Sequence, residues 1–126
     1  MLASITLLLA LTHAPAMDLV ITTQPAQDLH MKVGQKLVFS VFGNASTGGQ
    51  WTVKHSGAPE LKYVGMTQLA QKQTNPPRVG QGATYLISFK AVKKGTSNVK
   101  LIYGRSWEIE KGAKPWGTMT AKVVIK

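Results

Sequence analysis

Apolar and polar side chains alternate with a period of two through several stretches of this chain, and no stretch sustains a 3.6-residue apolar period over three turns. Over 36–42, Leu37, Phe39 and Val41 share one face while Val38, Ser40 and Phe42 take the other. Over 84–92, Tyr85, Ile87, Phe89 and Ala91 oppose Leu86, Ser88 and Lys90. In 118–126, Met119, Ala121, Val123 and Ile125 oppose Thr120, Lys122 and Lys126. A strand presents successive side chains to opposite sides, so each stretch offers one face to a core. A helical bundle has nothing to build from, and the chain is read as all-β.

The remaining strands are shorter. Leu19 and Ile21 alternate with Val20 and Thr22 in 18–23, and 30–33 reads as a second segment of the same edge, ending at Gly34. Strand 51–55 is expected to pair with 36–42; 61–64 and 98–103 complete the set, and 66–72 has room for one helical turn. Turn signals such as Lys93-Lys94-Gly95 separate the runs. With 126 residues, 44% of them apolar, the chain suits one domain with a modest core. Short strands punctuated by turns predict an immunoglobulin-like antiparallel β-sandwich. Cysteine is absent, which excludes disulfides, thiolate metal sites and cysteine nucleophiles together.

Residues 1–16 read as a secretory signal peptide. The apolar run from Ile5 to Leu11 precedes Ala14-Pro15-Ala16, a small-x-small cleavage signal, and is too short for the roughly 20 apolar residues of a membrane span. The expected mature domain is 17–126, secreted or periplasmic.

Three loops carry the informative chemistry: 43–50, 76–83 and 104–117. In the expected sandwich they are the BC, DE and FG connections and emerge at one end. Glycines let the main chain approach a partner closely, Ser46 and Thr47 carry hydroxyls, and Trp107 supplies a large rigid contact. Such loops suit binding more than catalysis.

The loop Asn44-Ala45-Ser46-Thr47-Gly48-Gly49-Gln50-Trp51 resembles the Asn-Pro-Thr-Thr-Gly-aromatic-x-Trp signature of the chagasin family of cysteine-peptidase inhibitors. Gly80-Gln81-Gly82-Ala83 resembles the family's Gly-x-Gly-Gly loop, and Tyr103-Gly104-Arg105-Ser106-Trp107-Glu108 its Tyr-x-Arg-Pro-Trp segment. The three motifs occur in the family's order across most of the expected mature chain. The resemblance implies a reversible, non-covalent inhibitor that wedges its first loop into the cleft of papain-like cysteine peptidases, such as papain or a cathepsin L-like enzyme.

By position, the resemblance assigns peptidase contacts to Asn44, Ser46, Thr47, Gly48, Gly80, Gln81, Gly82, Arg105 and Trp107. Ser46 would turn its hydroxyl to the peptidase's catalytic histidine, and Thr47 would set its backbone beside the cysteine. Gly80, Gln81 and Gly82 would add a strand-like contact. Trp107 would lie on an aromatic patch, with Arg105 making polar contacts nearby. Ala45 and Ser106 stand where the family has proline, Ser46 where it has threonine, and Gly49 where it has an aromatic residue. These departures predict looser loops and weaker or more selective inhibition, which Ala45→Pro or Gly49→Phe should alter.

Plainer roles compete at several positions. Trp51 fits the core, Asn44 a turn cap and Gly48 a positive backbone angle; Trp116 fits either packing under the third loop or extending it. Asn44-Ala45-Ser46 is also a glycosylation sequon. His13, His30 and His55 lack partners at a recognisable catalytic or metal spacing, so neither an enzyme nor a metal site is expected, and no cofactor is implied. Fifteen basic against five acidic side chains favour acidic partners. The alternative is therefore a basic module that binds a polyanion, or an adhesin or scaffold. Specific nucleic-acid reading is not expected, because the arginines are Arg78 and Arg105 alone and no aromatic ladder runs between the lysines. A monomer without a membrane span is expected.

Overall fold

The alternation seen in the sequence builds two sheets in a computed structural model that describes residues 17–69 and 82–126. The expected leader 1–16, and Gly80 and Gln81 of the second loop, lie outside the described residues. In the first sheet, β3 (Lys36–Gly43) pairs antiparallel with β6 (Ala83–Ala91), from Lys36 opposite Lys90 to Gly43 opposite Ala83. β5 (Leu61–Gln68) flanks β6 antiparallel, with a register shift between Tyr63 and Gly65. β1 (Leu19–Ile21) runs parallel to β3, giving the order β1-β3-β6-β5.

The second sheet has the order β2-β8-β7-β4. β7 (Gly95–Gly104) and β8 (Gly117–Ile125) pair antiparallel from Gly95 opposite Ile125 to Tyr103 opposite Gly117. β4 (Gln50–His55) pairs antiparallel with β7, and β2 (Leu29–Met31) runs parallel to β8. The expected immunoglobulin-like sandwich is present, with its two short edge pairs parallel.

Between the sheets lie the residues that the alternation turned inward. Leu37, Phe39, Ile87 and Phe89 of the first sheet and Val99, Leu101 and Val123 of the second are essentially inaccessible to solvent. Phe39 and Phe89 meet edge to face at 5.8 Å between ring centroids. Burying each large apolar side chain contributes roughly 1.5–3 kcal/mol, and no disulfide supplements it. Trp51 packs half-buried against this core, as its place at the head of a strand suggested.

Three expectations need correction. First, 18–23 and 30–33 do not share an edge: β1 and β2 flank different sheets. Pro25 offers no backbone donor for continued pairing. The Gln24 side chain takes over, donating from Nε2 to the Thr120 carbonyl at 2.7 Å and accepting from the Thr120 N–H at 2.9 Å. Second, 51–55 does not pair with 36–42. β4 crosses to the other sheet and pairs with β7, which lets the apolar faces of β3 and β4 both contribute to the intersheet core. Third, Met66, Thr67 and Gln68 are strand, because β6 continues far enough to pair with them; the rest of the expected turn, 70–72, lies outside the described residues.

Register fixes the poles of the sandwich. Gly43 lies opposite Ala83, Gln50 opposite Gly104 and Tyr103 opposite Gly117. The β3–β4, β5–β6 and β7–β8 connections therefore leave from the same end.

Candidate functional site

The β3–β4 loop is a single turn of 3-10 helix, Ala45–Thr47, with a cap at each end. Asn44 is extended, and its Oδ1 accepts from the Ser46 N–H at 3.1 Å and from the Ser46 hydroxyl at 2.6 Å. The Thr47 hydroxyl donates to the Asn44 carbonyl at 2.7 Å. Gly48 closes the turn at φ +85°, where a side chain would be strained, and its N–H donates to the Ala45 carbonyl. Asn44 and Gly48 thus hold the loop's shape, as their residue types suggested. In this unbound state the Ser46 and Thr47 hydroxyl hydrogens point into the loop, leaving oxygen lone pairs outward.

Three side chains from β7 and the β7–β8 loop brace that turn. The Tyr103 hydroxyl accepts the Asn44 N–H at 2.7 Å. Arg105 donates from Nε to the Thr47 carbonyl at 2.9 Å and pairs with Glu108 at 3.0 Å. The Trp107 ring tip rests on Gly48, where a Cβ would lie 2.7 Å from Cη2. Gly48 is therefore required twice, by its dihedral and by this contact.

Trp107 sits on a short helix that the sequence did not announce, α1 (Ser106–Glu110). Ser106 opens that helix, and Trp107 is 52% exposed at the pole. Of the two roles left open for Trp116, the structure shows the packing. Trp116 packs on Tyr103 at 5.8 Å and under the Arg105 guanidinium at 5.1 Å, and remains 48% exposed.

Gly49 has a different role from the one expected. A Cβ there would lie 2.6 Å from the Tyr103 hydroxyl and 2.9 Å from Trp116 Cζ3. The base of the first loop is thus anchored by Tyr103 and Trp116, which fill the space beside residue 49. The glycine is a requirement of that packing, not slack in the loop.

Of the residues singled out in the sequence, Asn44, Ser46, Thr47, Gly48, Arg105 and Trp107 come together at this pole. Gly82 reaches it from the β5–β6 connection, and Gly80 and Gln81 lie outside the described residues. Two participants were missed. Tyr103 was visible only as the head of a motif, and Phe42 only as an aromatic residue in the outward phase of its strand. Phe42 is 65% exposed, and its ring lies directly over Gly82, joining the first and second loops.

Among the described residues no three His, Asp or Glu side chains cluster, and no helix is long and apolar enough to cross a membrane. What the pole offers is backbone, hydroxyl oxygens and exposed indole on a braced frame.

Comparison with known proteins accords with this geometry. Residues 30–123 match the family described as "Chagasin family peptidase inhibitor I42". Amoebiasin-2 of Entamoeba histolytica is 29% identical over 99 residues, covering 78% of this chain and 76% of its own. The crystal structure of the cysteine protease inhibitor EhICP2 from Entamoeba histolytica superposes with a TM-score of 0.68 at 27% identity, over 90% of this chain and all of the other. PbICP-C, solved in complex with falcipain-2, shares the fold, with a TM-score of 0.53 at 17% identity over 88% of this chain and all of its own.

Proposed function

This chain belongs to the chagasin family of peptidase inhibitors, and we propose that it inhibits papain-like cysteine peptidases by occluding their active-site cleft with its three adjacent loops. The observation that carries this reading is the bracing of the 3-10 turn by Tyr103 and Arg105, beside an exposed Trp107. A wedge works when its ordering has been completed before it docks, because every loop dihedral frozen on binding subtracts from affinity. Here Asn44, Gly48, Tyr103 and Arg105 hold the loop in the free protein.

In this account the first loop enters the cleft with Ser46 and Thr47 at its tip. The Ser46 oxygen accepts a hydrogen bond from the peptidase's catalytic histidine, a geometry in which its own hydroxyl hydrogen stays on Asn44. The Thr47 backbone lies beside the catalytic cysteine and blocks it without offering a scissile bond in register. Gly80, Gln81 and Gly82 line one wall through main-chain contacts. Trp107 covers the other as a desolvated aromatic anchor, while Arg105 holds the two loops in relation to each other. Such a contact would bury on the order of 800 Å² per partner. EhICP2, described as a cysteine protease inhibitor, and PbICP-C, seen with falcipain-2, support the peptidase class. Export with cleavage after Ala16 completes the proposal.

Titration of residues 17–126 against papain with a fluorogenic substrate tests it. Reversible inhibition that substrate competes away is expected, with intact inhibitor recovered by mass spectrometry. Undiminished turnover under a saturating excess, or cleavage within 44–50, would refute it.

A further inference from the structure

The pole opposite the loops carries a charge arrangement that peptidase inhibition does not use. Lys36 lies directly opposite Lys90 on the neighbouring strand, and Lys90 directly opposite Lys62 on the next. All three are exposed and share the outer face of the first sheet. Adjacent strands lie about 4.8 Å apart, so the backbones of the three lysines stand in a row roughly 10 Å long. Like charges in direct cross-strand register destabilise a sheet. Among the described residues the ion pairs are Arg105–Glu108 and Lys122–Asp28, neither of which neutralises the row. Asp18, which the parallel register of β1 brings nearest to Lys36, forms no ion pair. Lys93 and Lys94 of the β6–β7 turn and Lys126 at the end of β8 extend the positive pole.

A second observation on the same face is independent of charge. Gly65 lies mid-strand in β5, opposite Ser88, one step along the sheet from Lys90. Its φ is not positive, and a Cβ built there meets nothing within 4 Å. A strand glycine marks a bulge or a place of close approach to the main chain; Gly65 follows the register shift after Tyr63 and, with open space around it, also leaves the main chain bare to another molecule. Beside this bare shelf stands Ser88, in the outward phase of β6, with Val38 of β3 next across the sheet.

We propose that this face binds an acidic polysaccharide, with Lys36, Lys90 and Lys62 taking its sulfate or carboxylate groups and the Gly65 shelf receiving a sugar ring. Lysine ammoniums are hydrated point charges on flexible stems, which suit scattered anionic groups on a polymer. Nucleic acid would be better served by arginine forks and a ladder of stacking aromatics; among the described residues this face has no arginine, and its exposed outward aromatic, Phe42, lies at the far, loop end of β3. A lipid surface is disfavoured because Ser40, Ser88 and Thr67 interrupt the apolar side chains of the face. An inhibitor held by this pole would keep its loops free, pointing away from the polymer.

Heparin is the probe, by affinity elution in a salt gradient and by titration at fixed salt. The wild type should elute well above the triple variant Lys36→Gln, Lys62→Gln, Lys90→Gln. A triple variant of equal charge loss on the other sheet, Lys54→Gln, Lys100→Gln, Lys122→Gln, should elute close to the wild type. Equal losses in both triples would mean net charge alone and overturn the site. Lys90→Glu should raise Tm, because it turns two repulsive cross-strand pairs into attractive ones, while lowering heparin affinity at least about tenfold. Unchanged affinity would refute the proposal. Gly65→Val should keep the fold and weaken heparin binding; full binding would remove the shelf from the account. Tighter binding of a single-stranded oligonucleotide or of phosphatidylserine vesicles than of heparin, at equal salt, would contradict the choice of polysaccharide. Papain inhibition should persist with heparin bound and in all these variants, so this proposal and the loop reading fail separately.

Discussion

The body of the sandwich and its loop pole are held together by different physics. Inside, Phe39, Phe89, Leu37 and Leu101 contribute through burial alone, and any apolar set of the right volume in the same phase would do nearly as well. At the pole, order rests on particular atoms: a tyrosine hydroxyl under one backbone N–H, a guanidinium on one carbonyl and a glycine beneath one indole. Damage to the body should therefore cost stability and function together. Damage to the pole should separate them.

Phe89→Ala probes the body and should show the largest effect, about 3–5 kcal/mol of lost stability, seen as a lower denaturant midpoint with inhibition lost only in proportion to unfolding. Trp107→Ala probes the pole. It should weaken papain inhibition roughly thirtyfold or more, the loss of an aromatic hot spot, with Tm nearly unchanged because the indole is half exposed. If the two variants lose stability and inhibition in the same ratio, the distinction fails.

Gly49→Ala tests whether the pole is packed. Its Cβ would press on Tyr103 and Trp116, so about 2 kcal/mol of destabilisation and weaker inhibition are expected, and Gly49→Phe should be worse. A tighter inhibitor from Gly49→Phe would restore the view of this glycine as mere slack. Tyr103→Phe removes only the acceptor of the Asn44 N–H and should cost about 1 kcal/mol, with a several-fold rise in the inhibition constant. Ala45→Pro sharpens the comparison in the other direction. Ala45 opens the 3-10 turn and the preceding Asn44 is extended, both suited to proline, so a gain of about 0.4–1 kcal/mol with slightly tighter inhibition is expected by calorimetry and titration.

The same division explains what could be read before the structure. Leu37, Phe39, Ile87, Phe89, Val123 and Ile125 all declared themselves inward, because the two-residue period is a property of the strand itself. Partnership between strands was less visible: β4 alternates equally well beside β3 or across from it, and only the course of the 44–49 turn decides. β1 and β2 were likewise misplaced, since three-residue strands carry little phase information and the Gln24 contact with Thr120 spans 96 positions. In the loops, Asn44 and Gly48 were legible because capping and positive φ are local demands. Tyr103 and Phe42 were not, since their roles arise from neighbours distant in sequence, and for the same reason Trp116 stayed open between two roles. Gly49 was misjudged for the same reason. The residue that makes it necessary stands 54 positions later, in β7.

Hydrogen–deuterium exchange of residues 17–126, free and saturated with papain, addresses the central claim most directly. Backbone amides of 44–50, 80–83 and 105–107 should gain protection on binding, while those of Lys36, Lys62 and Lys90 stay as they were. Protection that spares the three loops, or that falls on the lysine face, would contradict the account.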